Sequence, residues 1–238
     1  MTLELPLTAP GADQPRGMPE TAPPPRRGPR RPPPRELAAL RAATEPLGRG
    51  SGRRLPAPQA LAELLPGGLQ RGWVIQIHGG QRGGTSLALA LLAAASAPGG
   101  WGALVGVPEL GLLAAAEAGV PLERCLFVPH PGTAWPQTVA LALQGVDLVV
   151  GRPPGRLSAA QARGLHARAR HHGSLLVLLE SPGWPEPPEI TLEITGATWH
   201  GVEAGHGHLR ARRCQIRRSG RRAAGEPSTT TVWLPGPR

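Results

Sequence analysis

The chain contains no lysine, tyrosine or asparagine, and phenylalanine occurs once. All 26 basic residues are therefore arginine. Cysteine is confined to Cys125 and Cys214, which sets neither a disulfide framework nor a thiolate zinc site and fits a reducing compartment. Acid is scarce as well. Asp13 and Asp147 are the sole aspartates and the glutamates are scattered, so paired-carboxylate chemistry is poorly supplied. No Ser-His-Asp or Cys-His arrangement stands out. The opening MTLELPLTAPGADQP has no basic n-region and no apolar h-region, and no apolar run reaches the length that spans a bilayer. These absences lead to the expectation of a cytoplasmic protein with no membrane contact.

Arginine, alanine, glycine and proline fill the space left, all with GC-rich codons, so part of the bias belongs to the genome. The 30 prolines and 33 glycines make up about a quarter of the 238 residues, near the level at which disorder sets in. The prolines concentrate early, in PETAPPPRRGPRRPPPR. Residues 1–54 thus read as a disordered Pro/Arg-rich segment, with a possible short helix over Glu36–Ala43. Its arginines (Arg26, Arg27, Arg30, Arg31, Arg35) fit a mobile nucleic-acid-binding arm or an inert extension equally well. A net charge of +10 suggests a polyanionic partner, most simply nucleic acid, although basic tails also serve solubility.

Beyond a small helix expected over residues 56–65 (PAPQALAELL), the pattern alternates. Short apolar runs at 73–78, 102–107, 125–128, 147–150 and 174–180 read as buried strands, with Ala/Leu-rich helical stretches between them. Such alternation implies a parallel sheet covered by helices on both faces. After Gly183, the segments 190–202, 208–220 and 229–235 have period-two character and no helix signal, so they read as antiparallel strands extending the sheet at one edge. The core accordingly covers residues 55–222, followed by a C-terminal strand and tail over 223–238.

The segment WVIQIHGGQRGGTSLAL, from Trp73 to Leu89, reads as strand, glycine-rich turn and helix. This is the frame of a nucleotide-binding P-loop, whose backbone N–H groups cradle phosphate while a Lys reaches the β/γ-phosphates and a Ser/Thr hydroxyl holds Mg²⁺. Here the loop runs Gly79, Gly80, Gln81, Arg82, Gly83, Gly84, Thr85, Ser86. Thr85 stands at the lysine position and Ser86 at the hydroxyl position. A chain without lysine has no distant one to substitute, and the planar guanidinium of Arg82 is not an equivalent. The loop reads as a vestigial nucleotide site, with no cofactor expected.

The order of these pieces resembles the RecA family over about residues 64–220. LLPGGLQRGWVIQIHGG resembles the entry into the P-loop strand, AGVPLERCLFVPHPGTAWPQTVALALQGVDLVV the stretch leading to the Walker B strand, and LSAAQARGLHARARHHGSLLVLLES the helix and strand that follow. Within that superfamily the chain is most similar to the ImuA type, RecA-like accessory proteins of bacterial translesion mutagenesis, through TSLALALLA and ITGATWHGVEAGHGHLRARR…SGRR…VWLP. The resemblance implies a RecA-like α/β fold. It also implies a place in the SOS-type DNA damage response and error-prone translesion DNA synthesis, with an ImuB-type, Y-family polymerase-like partner, RecA and DNA as contacts, and a nucleoid-associated location. Against the RecA pattern, the strand Asp147-Leu148-Val149-Val150 ends in Gly151-Arg152, so the magnesium-side acid is missing, and Asp147 would sit at the wrong end. Glu109 lies near the place of the glutamate that activates water, where a favourable helix-start charge is the simpler account. The expectation is a protein without catalytic residues, because the groups that neutralise developing phosphate charge are gone.

Arg210, Arg212, Arg213, Arg217, Arg218, Arg221 and Arg222 fall within thirteen residues that contain no acid. On a strand, Arg210 and Arg212 share one face and Arg213 and Arg217 the other. They either protect an edge strand from aggregation or contact phosphate or an acidic partner surface. With no aromatic interleaving, base stacking is weakly supported. His206 and His208, with His200 nearby, could form a metal pair but lack acidic or thiol neighbours, and hairpin histidines are the simpler reading. Two alternatives to the adaptor stand beside it: a divergent RecA/RadA-type ATPase in DNA repair, and a sequence-nonspecific DNA-binding module.

Overall fold

The computed structural model describes residues 54–203, 206–222 and 227–236, with the side chains of 202–207 excepted. The N-terminal Pro/Arg tract and the helix expected at Glu36–Ala43 lie outside the described residues. A short ribbon of β1 (Arg54–Leu55) and β2 (Leu69–Gln70) precedes the main sheet. Strands β3 (Val74–His78), β4 (Gly102–Val105), β5 (Cys125–Val128), β6 (Leu148–Gly151) and β7 (Leu175–Leu179) follow the apolar runs within two residues. Between them lie helices α1 (Gly84–Ser96), α2 (Leu112–Glu117), α3 (Trp135–Gly145) and α4 (Ala159–His172). The long strands β8 (Ile190–Glu203) and β9 (His206–Ser219), then β10 (Ser228–Trp233), complete the chain.

The sheet has eight strands in the order β10-β9-β8-β3-β7-β6-β4-β5. Neighbours from β8 through β5 are parallel, whereas β9 and β10 add antiparallel at the β8 edge. This is the expected α/β architecture, mostly parallel and extended by antiparallel C-terminal strands. The central parallel strands β3, β4, β6 and β7 are largely apolar on both sides because both faces are covered. Ile75, Ile77, Leu148, Val150, Val177 and Leu179 pack with α1 on one face. Val74, Val105, Val149, Leu176 and Leu178 pack with Trp135, Val139 and Leu165 of α3 and α4 on the other.

Local sequence explains the termini. Ser158 caps α4 by accepting from the Gln161 N–H while the Gln161 side chain returns to the Ser158 N–H, and Gly173 closes it at φ 65°. The helix expected over 56–65 is instead a single 3₁₀ turn at Gln59–Leu61 followed by turns. Pro58 and Pro66 bracket a stretch too short for a stable helix, and burial of Leu61, Leu64 and Leu65 fixes it in place. Helix α2 is likewise confined to six residues, because Pro108 and Gly111 delay its start.

Candidate functional site

The glycine-rich loop connects the carboxyl end of β3 to α1, the end of a parallel sheet where α/β proteins place their ligands. Gly80–Arg82 form a 3₁₀ turn, in which the Arg82 N–H donates to the Gly79 carbonyl at 2.8 Å and the Gly83 N–H to that of Gly80 at 3.4 Å. The amides of Gly79 and Gly80 point the other way and donate to Glu180 Oε1, at 2.8 and 2.5 Å. Four N–H groups of the loop are thus satisfied from within the molecule. Glu180 follows β7, the strand beside β3, and holds φ 42°. That left-handed conformation costs a non-glycine residue roughly 1–2 kcal/mol. It brings the carboxylate into the mouth of the loop, 3.0 Å from where a Cβ on Gly84 would lie.

The hydroxyl side of the loop is closed by Arg212 from β9. Its guanidinium donates to Ser86 Oγ at 2.7 Å and to the Leu234 carbonyl at 2.8 Å, and its Cζ lies 4.7 Å from the Trp199 ring centroid. Arg212 is 6% exposed, and among the described residues no carboxylate pairs with it. A cation–π contact and directed donors suit a weakly hydrated guanidinium in such a place. A Cβ on Gly83 would stand 2.6 Å from its terminal nitrogen, so glycine there is a packing requirement as much as a conformational one. Cys214, two residues on, lies under the loop with Sγ 3.5 Å from the Arg82 carbonyl. Burial raises its thiol, with Arg212 partly offsetting the rise, and an inert thiol results.

The positions matching the Walker B strand carry no metal-side acid. Arg152, just past β6, forms an ion pair with Glu109. Burial works to raise the Glu109 carboxyl, but the Arg152 hydrogen bond, a backbone hydrogen bond and the Arg152 charge together hold it below the usual range. Asp147 sits at the amino end of β6, remote from the loop as expected. It is 1% exposed, accepts from Arg71 at 2.6 Å and takes the Trp101 N–H at 2.9 Å.

The seven C-terminal arginines fall into distinct groups. Arg212 and Arg218 face inward, Arg218 reaching the Leu64 carbonyl at 2.9 Å. Arg217 pairs with Glu193 at 2.5 Å and Arg221 with Glu189 at 3.3 Å. Arg210, Arg213 and Arg222 are exposed. Their side chains have no hydrogen-bond or ion-pair partner among the described residues. The inward pair was legible: Arg212 and Arg218 share the parity of Cys214 and Ile216, both buried. His200 packs edge-on against Trp233 at 4.9 Å, the His206 side chain lies outside the described residues, and no group of three or more metal-ligating side chains occurs among those described. No described helix is long and apolar enough to cross a membrane.

A family model described as the MT3502 N-terminal domain matches residues 63–186. That span includes the loop, Asp147 and Glu180 but stops before β8, β9 and β10, and so before Arg212. The chain is 36% identical over 161 residues to the uncharacterized protein Rv3395c of Mycobacterium tuberculosis, covering 66% of this chain and 68% of that protein. The crystal structure of the RadB recombinase aligns with a TM-score of 0.47 at 18% identity, over 72% of this chain and 92% of that one.

Proposed function

The chain belongs to the family of the MT3502 N-terminal domain, and we propose that it is a non-catalytic RecA-like adaptor. In this reading it serves SOS-type translesion DNA synthesis by docking an ImuB-type polymerase-like protein and RecA. The observation that carries the non-catalytic half is the occupied loop. Glu180 takes the Gly79 and Gly80 amides, and Arg212 takes the Ser86 hydroxyl. A nucleotide entering the loop would meet a fixed carboxylate where its phosphates belong and a guanidinium where Mg²⁺ belongs. Phosphoryl transfer depends almost entirely on positioning and charge neutralisation around the phosphates, and this arrangement opposes both.

The partner half rests on the ordered resemblance of sequence segments, and the exposed arginines of β9 support it. Arg210 and Arg213 are exposed on β9, where they can meet an acidic partner surface or DNA phosphates. The test uses purified full-length chain in two assays. Incubation with ATP and Mg²⁺ is expected to release no phosphate above a protein-free control, and magnesium-dependent turnover by the purified chain would instead establish a divergent ATPase. Pull-down from a damage-induced bacterial lysate is expected to retain the polymerase-like protein and RecA, and recovery of neither would sink the adaptor.

A further inference from the structure

At the opposite end of the sheet, the amino ends of β3 and β8 border a pocket of about 490 Å³, a volume typical of small-ligand sites. Its lining includes Arg71, Trp73, Arg170, Glu189, Arg221 and Arg222. The four arginines come from three separate stretches: the turn before β3, the last turn of α4, and the turn after β9. Gathering like charges around one cavity is unfavourable unless anions offset them, and the anions present are already engaged. Glu189 is 6% exposed, takes the Val74 N–H at 2.8 Å and Arg221 at 3.3 Å. Asp147 is held by Arg71 behind the wall. Even counting both acids, four arginines leave a formal charge of +2. Among the described residues, neither Arg170 nor Arg222 has a hydrogen-bond or ion-pair partner for its guanidinium.

The cradle is held by backbone. Gly72 at φ 84° approaches α4 so closely that a Cβ would lie 3.1 Å from the Arg170 Cα, and its N–H donates to the Ser174 carbonyl at 3.1 Å. Gly220 at φ 119° would place a Cβ 2.8 Å from the Glu189 carbonyl oxygen, and the Arg222 N–H donates to that same oxygen at 2.9 Å. The turns that present the arginines are therefore fixed before any ligand arrives, which lowers the ordering cost of binding. Half-buried Trp73 supplies an apolar wall.

We infer that this pocket is a phosphate-binding site, separate from the glycine-rich loop. Guanidinium groups match phosphate oxygens in bidentate geometry. A phosphate group offers the charge the pocket lacks, where a neutral ligand would leave Arg170 and Arg222 unmatched. The phosphate can come from a nucleic-acid backbone or from a small free phosphate compound. The inference shares Arg221 and Arg222 with the basic surface considered above but does not require the adaptor reading, so a failed pull-down leaves it standing.

The experiment titrates the full chain with a fluorescent single-stranded oligonucleotide and, separately, with pyrophosphate by calorimetry. Both titrations are repeated on R170A/R222A and on a control, R210A/R213A, whose arginines lie outside the pocket lining. The double pocket variant is expected to weaken binding at least about 10-fold, the loss of two charged contacts, with an unchanged circular dichroism spectrum and a smaller effect from the control. With the oligonucleotide, the slope of log affinity against log salt should become shallower by about 1.4, two single-strand phosphate contacts. Loss of oligonucleotide binding in the pocket variant identifies a nucleic-acid source. Pyrophosphate binding alone, lost in that variant, identifies a small phosphate compound. No binding of either probe by the unmodified chain, or binding that R170A/R222A leaves intact, overturns the inference.

Discussion

The two ends of the parallel sheet differ in how they dispose of charge. At the carboxyl end, where the loop frame is recognisable, three charged side chains are answered internally: Glu180 by the loop amides, Arg212 by Ser86 and Arg152 by Glu109. At the amino end, Asp147 and Glu189 are answered, but Arg170 and Arg222 border a cavity without partners among the described residues. At the end that a motif search would choose as functional, side chains of the chain itself hold the Gly79 and Gly80 amides and the Ser86 hydroxyl, whereas the end that no motif marks gathers arginines in excess of its acids. A preserved backbone shape is thus a poor guide to where a ligand goes once the side chains that served it have been exchanged.

The largest effect that can break this contrast comes from Asp147. D147N keeps an acceptor for the Trp101 N–H but removes the charged partner of the nearly buried Arg71 guanidinium. A loss of about 3–5 kcal/mol is expected, read from urea unfolding. A loss under about 1 kcal/mol, the scale of an exposed pair, would make the amino end as open as its pocket and remove its fixed wall. A smaller effect follows from unplugging the loop. E180A should cost about 1–2 kcal/mol through the Gly79 and Gly80 amides. It should also confer an ATP-dependent rise in Tm when made in the R170A/R222A background, where the arginine pocket does not contribute. If E180A gains no response to ATP, Glu180 is not what keeps anions out.

The smallest effect concerns His166 on α4, beside the amino-end pocket. Burial lowers its imidazole below the ordinary value of 6.5, against the opposing charge of Glu189, and Trp184 Nε1 donates to its Nε2 at 3.3 Å. A histidine with a lowered folded pKa protonates first in the unfolded chain. Its share of stability is therefore complete above pH 6.5 and declines as pH falls from there toward the folded value. Tm should drop between pH 7.5 and 5.5, and H166Q should flatten that drop. An equal drop in H166Q would assign the acid sensitivity elsewhere. Glu109 acts in a lower window, its contribution present above about pH 4.5 and lost as pH falls through its depressed folded value.

Much of the fold was legible in the sequence because burial on both sides of a parallel sheet writes continuous apolar runs, such as DLVV at β6 and SLLVLLE at β7. The loop frame was legible for the same reason: glycine spacing is a local signal. Its occupancy was not. Glu180 ends the apolar run SLLVLLE and reads there as the last residue of a strand, while its partners lie 100 and 101 residues away. Arg212 reads as one of seven arginines suited to a partner, and its 126-residue separation from Ser86 leaves no local trace. The parity of Arg212 with Cys214 and Ile216 was the one available sign. The pocket at the amino end was less visible still, since Arg71, Arg170 and Arg222 belong to three turns that converge only once the sheet is built.

Glu180 can also be regarded as a ligand on a very short tether. Fixed at the end of β7, its carboxylate confronts the loop at an effective concentration on the order of millimolar or more, undiluted and independent of metabolism. A free nucleotide must outcompete a resident that never diffuses away. On the non-catalytic reading proposed above, changes in cellular nucleotide supply are expected to leave this loop unmoved, and the protein's surfaces to act without an energy-charge signal.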